Sequence, residues 1–244
     1  MLRGRRVEDL IGQVSFVQHL VLLFSGRLLD PGQAALLEAV MVAGADHGPR
    51  APSIAAARMA ATCGVTFNSA VATGINLLGD IHGGAAGDAM RFFAEVQLRA
   101  ADVGRDEAAR ACVDEARARR AAVAGFGHQL HDVDPRREPL LRMCEAARDD
   151  GTIGGDAIDV GTAVERALHD AVGRPLPLNI DGLWAIVCCE LDLPPEFAMG
   201  AFCLSRGAGI VAHAYEEGST GVKIKGPCPP GDDLVRYVGT PAPS

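Results

Sequence analysis

The chain repeats one spacing from end to end. Over residues 7–28 apolar side chains stand at 7, 10, 11, 14, 17, 20, 21 and 24, three or four apart, which gathers them on one face of an α-helix. Period-2 runs are absent and the β-branched residues are scattered, so strands are not expected. Further helices are expected at 33–45, 54–78, 85–98, 105–122, 138–148, 155–172, 180–191 and 195–218, separated by breaks rich in Gly and Pro such as Asp30-Pro31-Gly32 and Asp46-His47-Gly48-Pro49. The 54–78 stretch is mostly Ala, Ser, Thr, Gly and Met. Small side chains let helix axes approach closely, so it reads as a packed helix pair or one helix broken near Gly64. The fold class expected is all-α.

Composition removes several functions. An apolar fraction of 48% over 244 residues is enough to bury a sizeable core. With 23 Lys+Arg against 31 Asp+Glu there is no basic face for nucleic acid, and aromatic residues at 5% leave no stacking platform. The most apolar run, 16–29, carries Gln18, His19 and Arg27 and falls short of a membrane span. Behind Met1-Leu2-Arg3-Gly4-Arg5-Arg6 no signal-peptide pattern appears. The 7 cysteines form no C-x-x-C pair and sit mostly among aliphatic neighbours, as small buried hydrophobes do. A reducing, cytoplasmic location is the expectation, with no metal site.

Chemistry points to the helix boundaries. His47, His82 and His128, and less clearly His131, lie at such boundaries beside or near glycine, where the backbone can approach a ligand while an imidazole is presented from a helix end. Each alone also fits a structural or surface histidine. Three together, without metal-ligand spacing, suit chemistry at a carbonyl oxygen, because a neutral imidazole at a helix N-terminus can donate to developing oxyanion charge. Arg206 lies in an apolar, small-residue segment and needs an anion, either Glu216 or Glu217 in an internal pair or a substrate carboxylate. Asp181 opens an apolar helix; N-capping is its bland account and proton transfer its sharp one.

Taken in order, five segments carry a resemblance. They are Asp46-His47-Gly48 with Ser53 and Arg58; Gly79 to Gly84 around His82; Gly125-Phe126-Gly127-His128 with Asp134-Pro135-Arg136; Asn179-Ile180-Asp181-Gly182; and Ser205-Arg206-Gly207-Ala208-Gly209 with His213, Glu216 and Glu217. The chain resembles the citrate synthase superfamily, most of all its short bacterial citryl-CoA lyase branch, related to the C-terminal module of ATP-citrate lyase. The resemblance implies a large helical domain (1–100 and 175–244), a smaller inserted helical domain (101–174) and a homodimer. By position it implies that Asp181 exchanges a proton with the acyl-CoA α-carbon and His82 stabilises the thioester enolate oxygen. His128 would hydrogen-bond the oxygen at the carbon being cleaved. His47, Arg136 and Arg206 would hold carboxylates, and Gly125, Phe126 and Gly127 would face coenzyme A.

The implied reaction is cleavage of citryl-CoA, or a similar β-hydroxyacyl-CoA, to acetyl-CoA and oxaloacetate or another 2-oxo acid. Coenzyme A thioesters are then substrate and product, and no permanently bound cofactor is expected. The reverse condensation, as in a citrate or methylcitrate synthase, and a non-catalytic scaffold or regulatory subunit are the alternatives. The chain departs from the synthases where Gly48-Pro49-Arg50-Ala51 replaces a Gly-Gly-Asn stretch and where Gln129-Leu130-His131 follows His128. A third carboxylate-binding arginine has no clear match; Lys223, Lys225 and Arg236 are the substitutes on offer. With no nucleotide-binding module in the sequence, a preformed acyl-CoA or a separate CoA-ligating enzyme is the expected source of substrate.

Overall fold

The computed structural model describes residues 1–127 and 133–227. Among them the chain is all α-helix, with two isolated β-bridges and no strand. The helices are α1 (Val7–Leu10), α2 (Phe16–Ser25), α3 (Pro31–Ala45), α4 (Pro52–Ala61), α5 (Phe67–Ile75), α6 (Ala85–Val103), α7 (Arg105–Ala118), α8 (Arg137–Asp149), α9 (Asp156–Val172), α10 (Ile180–Glu190) and α11 (Pro195–Ser219).

Local chemistry sets the ends. The helix expected over 7–28 is two, because Gly12 takes φ +75° and Ser15 starts a new helix with a capping box: its hydroxyl accepts the Gln18 N–H at 3.1 Å and the Gln18 side chain accepts the Ser15 N–H at 2.9 Å. Asp30-Pro31 opens α3 where the sequence suggested only a break. The Asp30 carboxylate accepts the Gln33 N–H at 2.8 Å, and Pro31, which has no N–H to satisfy, takes the first position. The pair expected over 54–78 is α4 and α5, parted at Gly64, whose φ is +82°.

The chain divides into two compact units, residues 1–44 with 83–202, and residues 45–82 with 203–244. The stretch 101–174, expected as an inserted small domain, falls wholly within the first. In the first unit α10 is sheathed on nearly every side: Ile180 and Gly182 through Cys188 are buried, with Trp184 edge-on to Phe202 at 6.0 Å. In the same unit Phe93, Leu22, Leu37 and Phe197 are each 2% exposed or less. Burying a side chain of this size contributes about 1.5–3 kcal/mol. Cys112, Cys144 and Cys188 belong to the buried set; burial pushes the Cys144 thiol up to about 12.

The second unit is built on small residues. Ala51, Ile54, Ala57, Ala70, Ile210 and Ala214 form its core. A Cβ on Gly74 of α5 would stand 2.7 Å from the Ser53 carbonyl oxygen and 3.1 Å from Ala57 Cβ, so glycine is what lets α5 touch α4. In α11, which has the length and hydropathy of a bilayer span, Arg206 and Glu217 are buried, and Glu217 is paired with Arg58 and Lys225.

Candidate active site

In the first unit, Asp181 stands second in α10, half-buried at the helix N-terminus. It is not the cap. Asn179 is, its side-chain oxygen accepting the Asp181 N–H at 2.9 Å and the Gly182 N–H at 3.2 Å. The capping account of Asp181 is therefore replaced, and its carboxylate sits where the helix dipole favours negative charge.

The glycine loop is bound to this helix end. Phe126 bridges Leu178 in antiparallel fashion, with Gly127 N–H donating to Pro177 O at 2.7 Å and Asn179 N–H donating to Gly125 O at 3.0 Å. The Asn179 side chain donates to Gly127 O at 2.8 Å. Bonds on both flanks make Phe126 and Leu178 a non-hydrogen-bonded pair, so the Phe126 N–H and C=O point away from Leu178. The approach demands glycines: a Cβ on Gly182 would lie 2.4 Å from Gly125 O, and Gly125 takes φ +88°. Phe126 packs edge-on to Phe93 at 6.2 Å.

Arg136 lies beside the same helix end with its side-on fork occupied. Asp134 Oδ1 accepts from Arg136 N at 3.0 Å and Nε at 2.9 Å, and Oδ2 accepts from Nη2 at 2.8 Å; Arg136 Nη1 donates to Ala43 O at 3.2 Å. Asp134 Oδ2 also accepts the N–H of Ile180, the first residue of α10, at 3.2 Å. Burial pushes the Asp134 carboxyl up, but the Arg136 hydrogen bonds and charge, with the Ile180 N–H, prevail and hold it at about 2. Arg136 also borders a groove of about 590 Å³ between α3 and α8, walled by Ala39, Val42, Pro139 and Met143.

In the second unit, His82 is held from α4. The Ser53 N–H, in the first turn of that helix, donates to His82 Nε2 at 3.3 Å, and Ser53 Oγ lies 3.0 Å from the same nitrogen. Nε2 is thus an acceptor, which puts the proton of the neutral ring on Nδ1. Burial first, then the Arg206 cation, lowers the imidazole's proton affinity below the usual histidine range. The helix N-terminus acts in the same sense. Arg206 is 4% exposed on α11.

His47 is exposed on the turn after α3. That turn leans on α11 because Gly209 has no side chain; a Cβ there would meet Ala45 O at 2.3 Å. Asp46 accepts from Gly48 N at 3.2 Å and pairs with His213 Nε2 at 3.1 Å. Arg58 Nη1 meets His213 Nδ1 at 2.7 Å and Glu216 at 2.6 Å, and its Nη2 pairs with Glu217. Lys225 Nζ binds Glu217 at 2.7 Å, so this substitute for a third carboxylate-binding arginine is engaged inside the protein. His128 and Arg236 lie outside the described residues. Among the described residues no cluster of three or more His, Cys, Asp or Glu is placed to hold a metal ion.

A family model described as "Citrate synthase, C-terminal domain" matches residues 12–225. The chain belongs to the citrate synthase family. The structure is similar to citryl-CoA lyase from Hydrogenobacter thermophilus, with 32% identity and TM-score 0.80, covering 99% of this chain and 91% of that one. It shares its fold with Methanosaeta concilii ATP citrate lyase, solved with (3S)-citryl-CoA, at 23% identity and TM-score 0.75, over 97% of this chain and 39% of the other. A citrate synthase of Haloferax volcanii is 27% identical over 221 residues, 88% of this chain and 55% of that protein. The chain thus spans about half the length of the curated synthases it matches.

Three residues that hold candidate side chains or the start of α10 escaped assignment from sequence. Asn179 was legible, since Asn is a strong N-cap and stands directly before α10. Ser53 and Asp134 were not, because their partners His82 and Ile180 are 29 and 46 positions away.

Proposed function

We propose that this chain is a carbon–carbon lyase that splits citryl-CoA, or a similar β-hydroxyacyl-CoA, into acetyl-CoA and oxaloacetate or another 2-oxo acid. The observation that carries the reading is His82, a neutral imidazole whose Nε2 is fixed by Ser53 and whose Nδ1 bears the proton. Such a group donates to an oxygen that gains charge, and in this reaction that oxygen belongs to the thioester as it becomes an enolate. The likeness to a citryl-CoA lyase over nearly both whole chains supports it.

The proton ledger closes with three groups. His128 takes the proton of the substrate alcohol as the carbonyl forms and the C–C bond breaks. The bonding pair moves into the thioester, whose oxygen His82 Nδ1–H stabilises. Asp181 must enter carrying a proton, which the helix N-terminus makes easier to give up; it passes that proton to the α-carbon, and acetyl-CoA leaves. His47, Arg206 and Arg136 hold the carboxylates of the 2-oxo acid; Arg136 does so with donors that Asp134 and Ala43 leave over, since three of its roughly five N–H groups are engaged. The outward N–H and C=O of Phe126, between Gly125 and Gly127, face the coenzyme A thioester. The working form is a homodimer.

The rival within the family, a citrate-forming acyltransferase, uses the same groups and differs in admitting water to the thioester; the likeness to curated citrate synthases supports it. Incubating the protein with citryl-CoA separates the two. The expected products are equal amounts of acetyl-CoA and oxaloacetate. Free citrate and CoA from citryl-CoA, with citrate formed from acetyl-CoA and oxaloacetate, would replace the lyase by the synthase, and inertness in both assays would turn the reading to a different 2-oxo acid or to the non-catalytic scaffold.

A further inference from the structure

Asp134 is the most deeply buried carboxylate beside Asp181, and its own side chain is fully shielded from solvent. Nothing in the reaction scheme uses it. A buried carboxylate is costly unless its lone pairs are filled, and here they are filled from two directions. One oxygen takes two donors of Arg136; the other takes the third, Nη2, together with the Ile180 N–H. Two parallel bonds to a planar guanidinium fix its orientation as well as its position, which a point charge would not do. The Ile180 bond ties that orientation to the first residue of α10, one position before Asp181.

We infer that Asp134 is a positioning residue: it locks Arg136 to the N-terminus of α10, so that the guanidinium presents its remaining donors to the carboxylate of the 2-oxo acid in one frame with Asp181. The inference rests on the proposed role of Arg136. The site it serves takes a small dicarboxylic 2-oxo acid, and Asp134 itself touches no substrate. A side chain that loses its lock still carries its charge but must be ordered on binding and loses its aligned bonds, and both weaken affinity.

Calorimetric binding of oxaloacetate and of coenzyme A to the full chain tests this without depending on turnover. Asp134→Asn keeps the volume, but its NH₂ faces one of the two donor sets and releases it. The expected result is at least about a tenfold weaker oxaloacetate affinity, with coenzyme A affinity unchanged within about twofold and a cooperative thermal transition retained. In Asp134→Asn/Arg136→Gln the loss should equal that of Arg136→Gln alone, because both changes remove one interaction. If Asp134→Asn does not fold, Asp134→Glu, which keeps the charge and displaces the carboxylate, gives the same two affinities. Equal weakening of both ligands would make Asp134 a general structural residue and overturn the inference. Arg136→Gln weak for oxaloacetate beside a normal Asp134→Asn would overturn it alone. Normal oxaloacetate binding by Arg136→Gln, or none by the wild type, would overturn the Arg136 reading and the inference with it.

Discussion

Asp181 and His82 take their proposed roles from neighbours that relieve them of other duties. Because Asn179 caps α10, replacing Asp181 by Asn should leave the fold intact while turnover of citryl-CoA falls at least about a hundredfold, the usual contribution of a general acid. Steady-state kinetics beside a thermal melt checks this; an unchanged rate would remove Asp181 from the reaction. His82 makes a second test, with a definite sign. Burial and Arg206 disfavour its cation, so the ring stays neutral as pH falls through 6.5 and protonates only below that value. Protonation places a hydrogen on Nε2, against the Ser53 N–H, so stability present above pH 6.5 is lost as pH falls through the lowered value. Proton NMR of the histidine ring signals should find His82 titrating on the acid side of 6.5, and Arg206→Met should move it part of the way back up, burial being the larger cause. A His82 titration unmoved by that change would dissociate the two groups.

At the scale of elements, the contact between the 125–127 loop and α10 depends on two hydrogen atoms that are not methyl groups. Gly182→Ala would set a Cβ 2.4 Å from Gly125 O and 2.5 Å from Leu178 Cδ2, and backbone on one side leaves it little room to move. Overpacking of this kind costs about 1–3 kcal/mol. For a chain of this length that lowers the melting temperature by about 2–4 °C per kcal/mol, measurable by calorimetry. Turnover should fall further than stability predicts, since the same displacement shifts Phe126 and Asp181. Equal melting temperature and rate would show that the loop and helix end are not as tightly joined as drawn. The α1/α2 break teaches a lesson about reading elements. Apolar periodicity ran straight through it, and only the Ser15-x-x-Gln18 capping box, present in the sequence, marked the new start.

For the whole molecule, the proposed homodimer is open to a direct measurement. Val65, Phe67 and Tyr215 are 46%, 50% and 70% exposed around a cavity of about 220 Å³ in the second unit, and large apolar side chains grouped in this way are common at protein interfaces. Sedimentation equilibrium should return twice the chain mass, and Phe67→Asp with Tyr215→Asp should shift the population toward the single chain. A wild-type chain that sediments alone at micromolar concentration would withdraw the dimer. Acid stability belongs to the same scale. Asp134, held at about 2 against a usual 3.8, adds stability above pH 3.8 that disappears as pH falls through about 2.

The sequence by itself determined that this protein is all-α and, the break between α1 and α2 apart, where its breaks fall to within a few residues; it also marked histidines, arginines and an aspartate as candidates for a chemical role. Those are consequences of spacing: helical period, capping residues and glycine beside histidine act over a few positions and can be read along the line. Tertiary structure alone decided what each of those side chains is bound to. That Ser53 sets the tautomer of His82, that Asp134 rather than open solvent faces Arg136, and that Lys225 answers Glu217 are facts about atoms brought together from distant stretches of chain. Hydrogen bonds and burial, which set protonation and orientation, depend on distances of a few ångströms that no linear spacing encodes.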